Sequence, residues 1–294
     1  MHSKTKTIII TGANGFVGSA LVEHFAQKGW QIRALVREPD HFTARKNTTY
    51  FAYDMQESPA SAIFNNADYL IHTAYVKEDR KYPAAYQINI DAAKKLMKQS
   101  RKHHISKNVF MSSMSAHAEA VSGYAKQKFE IESLFSTKKD ASIRSGLVIG
   151  NGGLIKQIVQ FMKTRHIAPL IDGGEQPLQI IAIYDLVRAI EGILESNLHG
   201  TFAIGTPEVY TYREFYQTIR RKLNIKAVII PVPFWVPLYV IRIINWLHLP
   251  LGVTEDNLWG LKKLKSFETL PTLKKLGIKL DTLEDALDKK ELFD

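Results

Sequence analysis

The 294-residue chain has no cysteine. That absence removes disulfides, thiolate metal sites and cysteine nucleophiles together, and it leaves the redox compartment unmarked by this residue. Long uninterrupted apolar runs are missing as well. The most apolar stretch, Val228 to Val253, is divided by Pro231, Pro233, Pro237 and Pro250. About a dozen residues remain unbroken where roughly twenty are needed to span a bilayer. It reads as a buried helix with one narrow polar edge at Arg242 and Asn245, an interfacial or partner-binding role staying open. Several catalytic signatures are also lacking: there is no Gly-x-Ser-x-Gly elbow, no His-Glu-x-x-His helix and no Gly-x-x-x-x-Gly-Lys-Ser/Thr loop. His103 and His104 are adjacent and point in different directions on a helix, so no metal site is expected.

What is present begins with charge. The formal net charge is +10, which suits nucleic acid, an anionic surface or a polyanionic small molecule. The basic residues are scattered, as at Lys94-Lys95, Arg101-Lys102, Lys138-Lys139 and Lys262-Lys263, and no nucleic-acid-binding signature accompanies them. Solvated helix faces are the expectation, with no nucleic-acid partner. The polar Met1 to Lys6 runs straight into a strand-like Thr7 to Ile10 and offers no apolar signal segment, so a cytoplasmic location is expected.

Along the first half, β-branched runs alternate with helical patterns, the rhythm of a parallel sheet covered on both faces. Thr7 to Ile10, Gln31 to Val36, Thr49 to Tyr53, Tyr69 to His72, Asn108 to Ser112 and Ser142 to Ile149 read as successive strands, with Thr201 to Ile204 as an added edge. Helices are expected over Ser19 to Lys28, ended by Gly29, over Ala84 to Lys102 and over Tyr124 to Phe135. After Gly150 the rhythm breaks. The expected architecture is an α/β Rossmann fold, a doubly wound parallel sheet, with a smaller C-terminal substrate-binding lobe. The expected boundaries are 1–150 for the nucleotide-binding domain, completed near 178–205, with 151–177 and 206–294 forming mainly the second lobe.

Between the first strand and first helix lies Thr11-Gly12-Ala13-Asn14-Gly15-Phe16-Val17-Gly18. Gly12 suits a tight turn, Gly15 admits close approach of a pyrophosphate, Gly18 lets helix and strand pack, and the helix N-terminus supplies free N–H donors. The position after a strand and before a helix is the context that gives this pattern meaning. At the end of the second strand, NAD enzymes place an acid for the ribose hydroxyls; here Leu35-Val36-Arg37 offers none, and Arg37 suits a 2′-phosphate. NADP is therefore the expected cofactor, with NAD left open.

Tyr124 and Lys128 stand four apart on an expected helix, so their side chains share a face. A neighbouring ammonium and an oxidised nicotinamide would both favour phenolate, bringing proton exchange toward neutral pH. Ser113, at the end of the fifth strand, is assigned the hydroxyl beside the substrate oxygen, with Ser112 on the cofactor side and Ser115 as the fallback.

The Gly-x-x-Gly-x-x-Gly turn, Asp54, His72-Thr73-Ala74, Asn89, Ser112-Ser113, Tyr124 to Lys128, Arg144-Ser145-Gly146 and Asp185 occur in an order that resembles the extended short-chain dehydrogenase/reductases, the NAD(P)-dependent epimerase/dehydratase family. The closing Leu276-Gly277 also fits. The resemblance implies that Asp54 contacts adenine, that Thr73 and Ala74 line the cofactor, that Asn89 belongs to the same site and that Lys128 holds the nicotinamide ribose. It implies hydride transfer at a hydroxyl or carbonyl carbon, with a nucleotide sugar as the preferred substrate. A small apolar carbonyl compound, or a non-catalytic NADP-binding protein, remains the alternative. A homodimer also stays open. The chain departs from the family in a shortened Ser113-to-Tyr124 loop, in His117-Ala118 for a Tyr-Gly pair, and in Ser145 for a proline. The loop normally helps shape the pocket above the nicotinamide. The substrate is expected between the carboxyl ends of the first-half strands and the lobe after Gly150, with Gly173 to Gln176 resembling a segment near the nucleotide-sugar pocket.

Overall fold

A computed structural model describes residues 5–77, 84–246 and 254–289. In chain order the elements are β1 (Thr7–Thr11), α1 (Phe16–Gln27), β2 (Gln31–Val36), β3 (Thr48–Ala52), β4 (Tyr69–His72), α2 (Ala85–Lys102), β5 (Lys107–Ser113), α3 (Gly123–Glu132), β6 (Ala141–Ser145) and β7 (Leu147–Ile149). They continue with α4 (Gly153–Arg165), β8 (Ile167–Ile171), β9 (Pro177–Leu178), β10 (Ile180–Ala182), α5 (Ile183–Glu195), β11 (Gly200–Ile204), β12 (Tyr210–Thr211) and α6 (Tyr212–Lys222). The last are β13 (Val228–Val232), α7 (Trp235–Trp246), α8 (Glu255–Lys262), α9 (Leu270–Leu276) and α10 (Leu283–Asp288).

The chain divides into two compact units, Met1–Ser112 with Gln127–Arg144 and Val187–Phe202, and Ser113–Lys126 with Ser145–Leu186 and Ala203–Asp294. The first is built on the seven-stranded sheet, whose order is β11-β6-β5-β4-β1-β2-β3. The strands from β3 to β5 pair in parallel, with Ile9 opposite Arg33 on one side and Leu70 on the other. The order reverses at β1, as expected for a doubly wound Rossmann sheet. The continuous Ile8-Ile9-Ile10 run is what a strand covered on both faces requires, and all three side chains are fully buried. Ile9, Leu35 and Leu70 pack with Ala92 and Leu96 of α2, while Phe110 packs with Ile90, Met97 and Phe135. Each such side chain contributes about 1.5–3 kcal/mol by leaving water.

The second unit has its own core, in which Ile155, Val159 and Met162 of α4 meet Phe215 and Ile219 of α6 and Leu283 and Leu287 of α10. Among the described residues its sheets are three two-stranded pairs, β7 with β10, β9 with β12 and β8 with β13.

Several expected elements are corrected. Ser142 to Ile149 is two strands, because at Gly146 the backbone changes partner: Gly146 N donates to Ile204 O at 2.9 Å and Leu147 N to Gln179 O at 2.8 Å. A Cβ at Gly146 would lie 2.5 Å from Gln179 O, so the switch needs glycine. Helix α1 starts at Phe16 rather than Ser19, with Gly15 as its N-cap. The Tyr124-to-Phe135 helix ends at Glu132 and finishes as a 3₁₀ turn over Ser133–Phe135. The Val228-to-Val253 stretch is not one buried helix but a strand, β13, followed by α7, with exposed side chains on both; residues 247–253 lie outside the described residues. Pro233, between the two elements, helps explain the break.

Candidate active site

The glycine turn sits at the switch point of the sheet, where β1 and β4 end side by side with Thr11 opposite His72. Gly12 adopts φ +64°, and a Cβ there would lie 2.8 Å from the Ala74 backbone. A Cβ on Gly18 would approach Gly12 O to 2.0 Å. These two glycines are required by the protein's own packing. Gly15 differs: its φ is −77° and its Cβ would meet only Gly12 O, at 3.2 Å. Asn14 and Gly15 are exposed, Phe16 and Val17 partly so, and no side chain caps α1. The open turn and the helix N-terminus, to which no side chain among the described residues is bonded, could receive the pyrophosphate of a dinucleotide.

The turn is tied to the segment after β4. Thr73 Oγ1 donates to Thr11 O at 2.6 Å, Ala74 N donates to Thr11 Oγ1 at 3.2 Å, and Thr11 Oγ1 lies 2.8 Å from His72 Nδ1. His72 is buried, and desolvation followed by the charge of Lys128 lowers its pKa to about 3. It is therefore a neutral structural histidine at ordinary pH.

The other residues expected from sequence to meet the cofactor occupy distinct settings. Arg37 is exposed just beyond β2. The register Thr11↔Leu35 brings that strand end beside the glycine turn. Asp54 is exposed after β3 and accepts from Gln56 N at 2.8 Å. Asn89 is buried and engaged on both ends of its amide: Nδ2 donates to Val76 O and Ala85 O at 2.8 Å, and Oδ1 accepts from Val76 N at 2.8 Å. It pins the loop after Ala74. Ser112 is buried, its hydroxyl donating to Glu132 Oε1 at 2.5 Å. Glu132 is also held by a bidentate pair from Arg144, at 2.8 and 2.6 Å.

Helix α3 carries Tyr124 and Lys128 one turn apart, Tyr124 falling in the second unit and Lys128 in the first. In the second unit, Tyr124 is hydrogen-bonded to Ser113, whose Oγ also lies 2.9 Å from Ser115 Oγ. Tyr124, Ser113 and Ser115 are thus joined in one chain of bonds, while Ser112 bonds to Glu132 instead. Burial raises the Tyr124 phenol, and the Ser113 bond opposes that rise. In the first unit, the buried Lys128 Nζ donates to Met111 O at 2.7 Å, and it lies 4.7 Å from the Phe110 ring centre and 5.4 Å from that of Tyr75. Desolvation lowers its pKa to about 7, against the pull of Glu132. In the protein alone the tyrosine is therefore not set low, because burial of the phenol outweighs the Ser113 bond.

Three contributors were not named from sequence. Glu132 follows Lys128 by four residues on the same helix, a spacing that could have been read. Gln127 donates to Tyr86 O at 2.9 Å and accepts from Asn89 Nδ2 at 3.1 Å, bracing α3 against α2. Asp256, at the start of α8, accepts from Gly123 N at 2.5 Å and Tyr124 N at 3.1 Å, so it caps the helix that carries the tyrosine. No local pattern announces a cap supplied from 132 positions away. Among the described residues, no cluster of histidine and acidic side chains could hold a metal ion, and no helix is long and apolar enough to cross a membrane.

Comparison with known proteins places these features in context. The sequence profile of the NAD dependent epimerase/dehydratase family matches residues 8–205. The chain is 24% identical over 225 residues to a fatty acid hydroxylase of Mycosarcoma maydis, covering 69% of this chain and 74% of that protein. It is 31% identical over 124 residues to a ceramide reductase of Caulobacter vibrioides, covering 41% and 39%. Among solved structures, a UDP-N-acetylglucosamine 4-epimerase from Methanobrevibacter ruminantium M1 superposes with a TM-score of 0.76, at 18% identity and over 99% of this chain and 97% of that one. That likeness speaks for the fold.

Proposed function

Because the chain belongs to the NAD dependent epimerase/dehydratase family, we propose that it is an NADP-dependent oxidoreductase or epimerase working by hydride transfer at a hydroxyl or carbonyl carbon, with Tyr124 as acid and base. The observation that carries this reading is the Ser113–Tyr124 hydrogen bond on a helix that presents Lys128 one turn later. A bound nicotinamide supplies or accepts the hydride. Tyr124 Oη takes the proton from a substrate hydroxyl during oxidation and returns it to the carbonyl oxygen during reduction. Ser113 orients that oxygen, and Ser115, bonded to it, relays or fixes the hydroxyl. Lys128 holds the ribose and lowers the cost of phenolate. Arg37 pairs with the 2′-phosphate, Asp54 reaches the adenine side, and Thr73 and Ala74 line the dinucleotide. Asn89 and Ser112 complete the cofactor side, Asn89 by holding the backbone after Ala74 and Ser112 through Glu132.

The preferred substrate is a nucleotide sugar, in keeping with the family and with an epimerase of the same fold. A second reading, reduction of a small apolar carbonyl compound, is favoured by the shortened Ser113-to-Tyr124 loop and by the partial likeness to a ceramide reductase. Incubation with NADPH or NADP and each substrate class separates them. An epimerase interconverts nucleotide sugars with no net change in nicotinamide absorbance, whereas a reductase oxidises one NADPH per carbonyl consumed. A panel that yields neither outcome while the protein still binds NADP would count for the non-catalytic alternative.

A further inference from the structure

We propose that the β8–β13 face of the second unit, extended by α7, is a docking surface for an anionic lipid bilayer. The two strands pair in parallel with Val228 opposite Ile167 and Ile230 opposite Pro169. The alternate row is turned inward: Ala168 and Leu170 are 1% exposed, and Ile229 packs on the core of the unit. The outward row is apolar as well, with Val228 at 64%, Ile230 at 41% and Ile167 at 37% exposure, and Pro169 exposed beside them. An open sheet face in water is ordinarily polar. Here both faces of the pair are apolar, and among the described residues only one is covered.

Two residues after β13 the chain enters α7, which buries Phe234 at its start and Ile241 against Leu258. Trp235 and Tyr239, one turn apart, remain 60% and 58% exposed. Such amphipathic rings suit the boundary between headgroups and acyl chains.

Charge decides the occupant. Residues 151–171 and 224–242, which carry β8, β13, α7 as far as Arg242 and the helix that leads into β8, contain Lys156, Lys163, Arg165, Lys226 and Arg242 and no aspartate or glutamate. The acids that bound these segments are engaged: Asp172 accepts from Phe234 N at 2.7 Å, and Glu255 pairs with Arg242 at 3.3 Å. Lys163, Arg165 and Lys226 are exposed. A second copy of the chain would set like charges against like charges on this face. A bilayer bearing anionic headgroups meets both requirements, accepting the apolar rows and neutralising the cations.

Co-sedimentation of the full chain with vesicles tests this. Vesicles of equimolar phosphatidylcholine and phosphatidylserine should bind the protein, pure phosphatidylcholine should bind it weakly, and high salt should release it. Lys163→Glu with Arg165→Glu, on the exposed last turn of α4, should lower the vesicle partition about tenfold or more. Val228→Ser with Ile230→Ser should lower it further, with folding checked by thermal melting. If the strand variant fails to fold, the charge variant still decides. The proposal is overturned by equal binding to both vesicle types, by no binding to either, or by unchanged binding of the charge variant. Wild-type self-association lost in the strand variant, without vesicle binding, would assign the face to contact between copies.

Discussion

The two units solve the problem of covering apolar side chains differently. Among the described residues, large hydrophobic side chains that remain exposed number two in the first unit, Tyr86 and Phe129, against twelve in the second. The first unit sandwiches one large sheet between helices, so nearly every apolar row meets another. The second closes its core around α4, α6 and α10 and leaves the outward row of β8 and β13 bare. Polar chemistry divides the other way. The first unit buries Lys107, Asn108, Ser112, Lys128, Glu132 and Asp140, each answered by a hydrogen bond. One unit thus combines a dry frame with a few costly buried polar groups, and the other combines a smaller dry core with surface that still has a partner to find.

The sharpest way to break that contrast is to remove the proposed acid/base group from the second unit without touching the first. Tyr124→Phe should keep NADPH affinity and lose about 10²- to 10⁴-fold in turnover, because the ring stays and the transferable proton goes. Parent-rate turnover by this variant, with either substrate class, would remove tyrosine from the acid/base role.

Next in size is a methyl group added at the glycine turn. Gly18→Ala forces a Cβ to 2.0 Å from Gly12 O and should cost about 3 kcal/mol in denaturant unfolding, with loss of cofactor binding. Stability unchanged from the parent would mean that the turn relaxes in a way its tight contacts do not suggest.

Lys128 tests whether buried polarity in the first unit is kept for function at the expense of stability. Its pKa is about 7 when folded and 10.5 ordinarily. Between those values the unfolded chain holds a proton that the folded chain lacks, so this residue makes stability rise with pH across that window and imposes its full penalty below it. Lys128→Met should raise stability by about 2 kcal/mol near pH 6, after loss of the Met111 bond is counted, with the gain fading toward pH 10. The same variant should bind cofactor poorly. A destabilised variant at acidic pH would show that the ammonium is a net asset to the fold.

The smallest effects concern Arg37 and Asp256. Arg37→Ala should narrow the preference for NADPH over NADH by about tenfold, measured as a ratio of dissociation constants. An unchanged ratio would mean that the 2′-phosphate is read elsewhere or not at all. Asp256→Ala should cost about 1 kcal/mol, as loss of a helix cap does, and should lower kcat more than it changes cofactor affinity. Asp256→Asn, whose single amide oxygen can keep the Gly123 N bond while its NH2 faces Tyr124 N, should recover only part of that loss.

Much of the first unit could be read from residues alone. Ile8-Ile9-Ile10 followed by three spaced glycines encodes strand, turn and helix locally, because a strand buried on both faces must be apolar throughout and Gly12 and Gly18 have no room for a Cβ. Tyr124 and Lys128 were placed on one helix by their spacing, since 3.6 residues per turn leaves no other arrangement. The twofold break at Gly146 was not visible, because it depends on Gln179 and Ile204 presenting carbonyls from elsewhere in the chain. Nor was the nature of Val228 to Val232, which reads from sequence as part of a buried helix but is a strand because it pairs with Ile167 to Ile171.

By itself, the sequence determined the alternation of strand and helix, the glycine turn, the absence of thiol chemistry and the helical pairing of tyrosine with lysine, all consequences of local sterics and short-range periodicity. Tertiary structure alone decided that Asp256 caps the tyrosine's helix, that Ser112 and Arg144 converge on Glu132, that burial raises Tyr124 while lowering Lys128, and that one apolar strand row stays uncovered. Those outcomes depend on which distant groups arrive and how much water they displace, and desolvation and long-range pairing are properties of the packed chain rather than of any window along it.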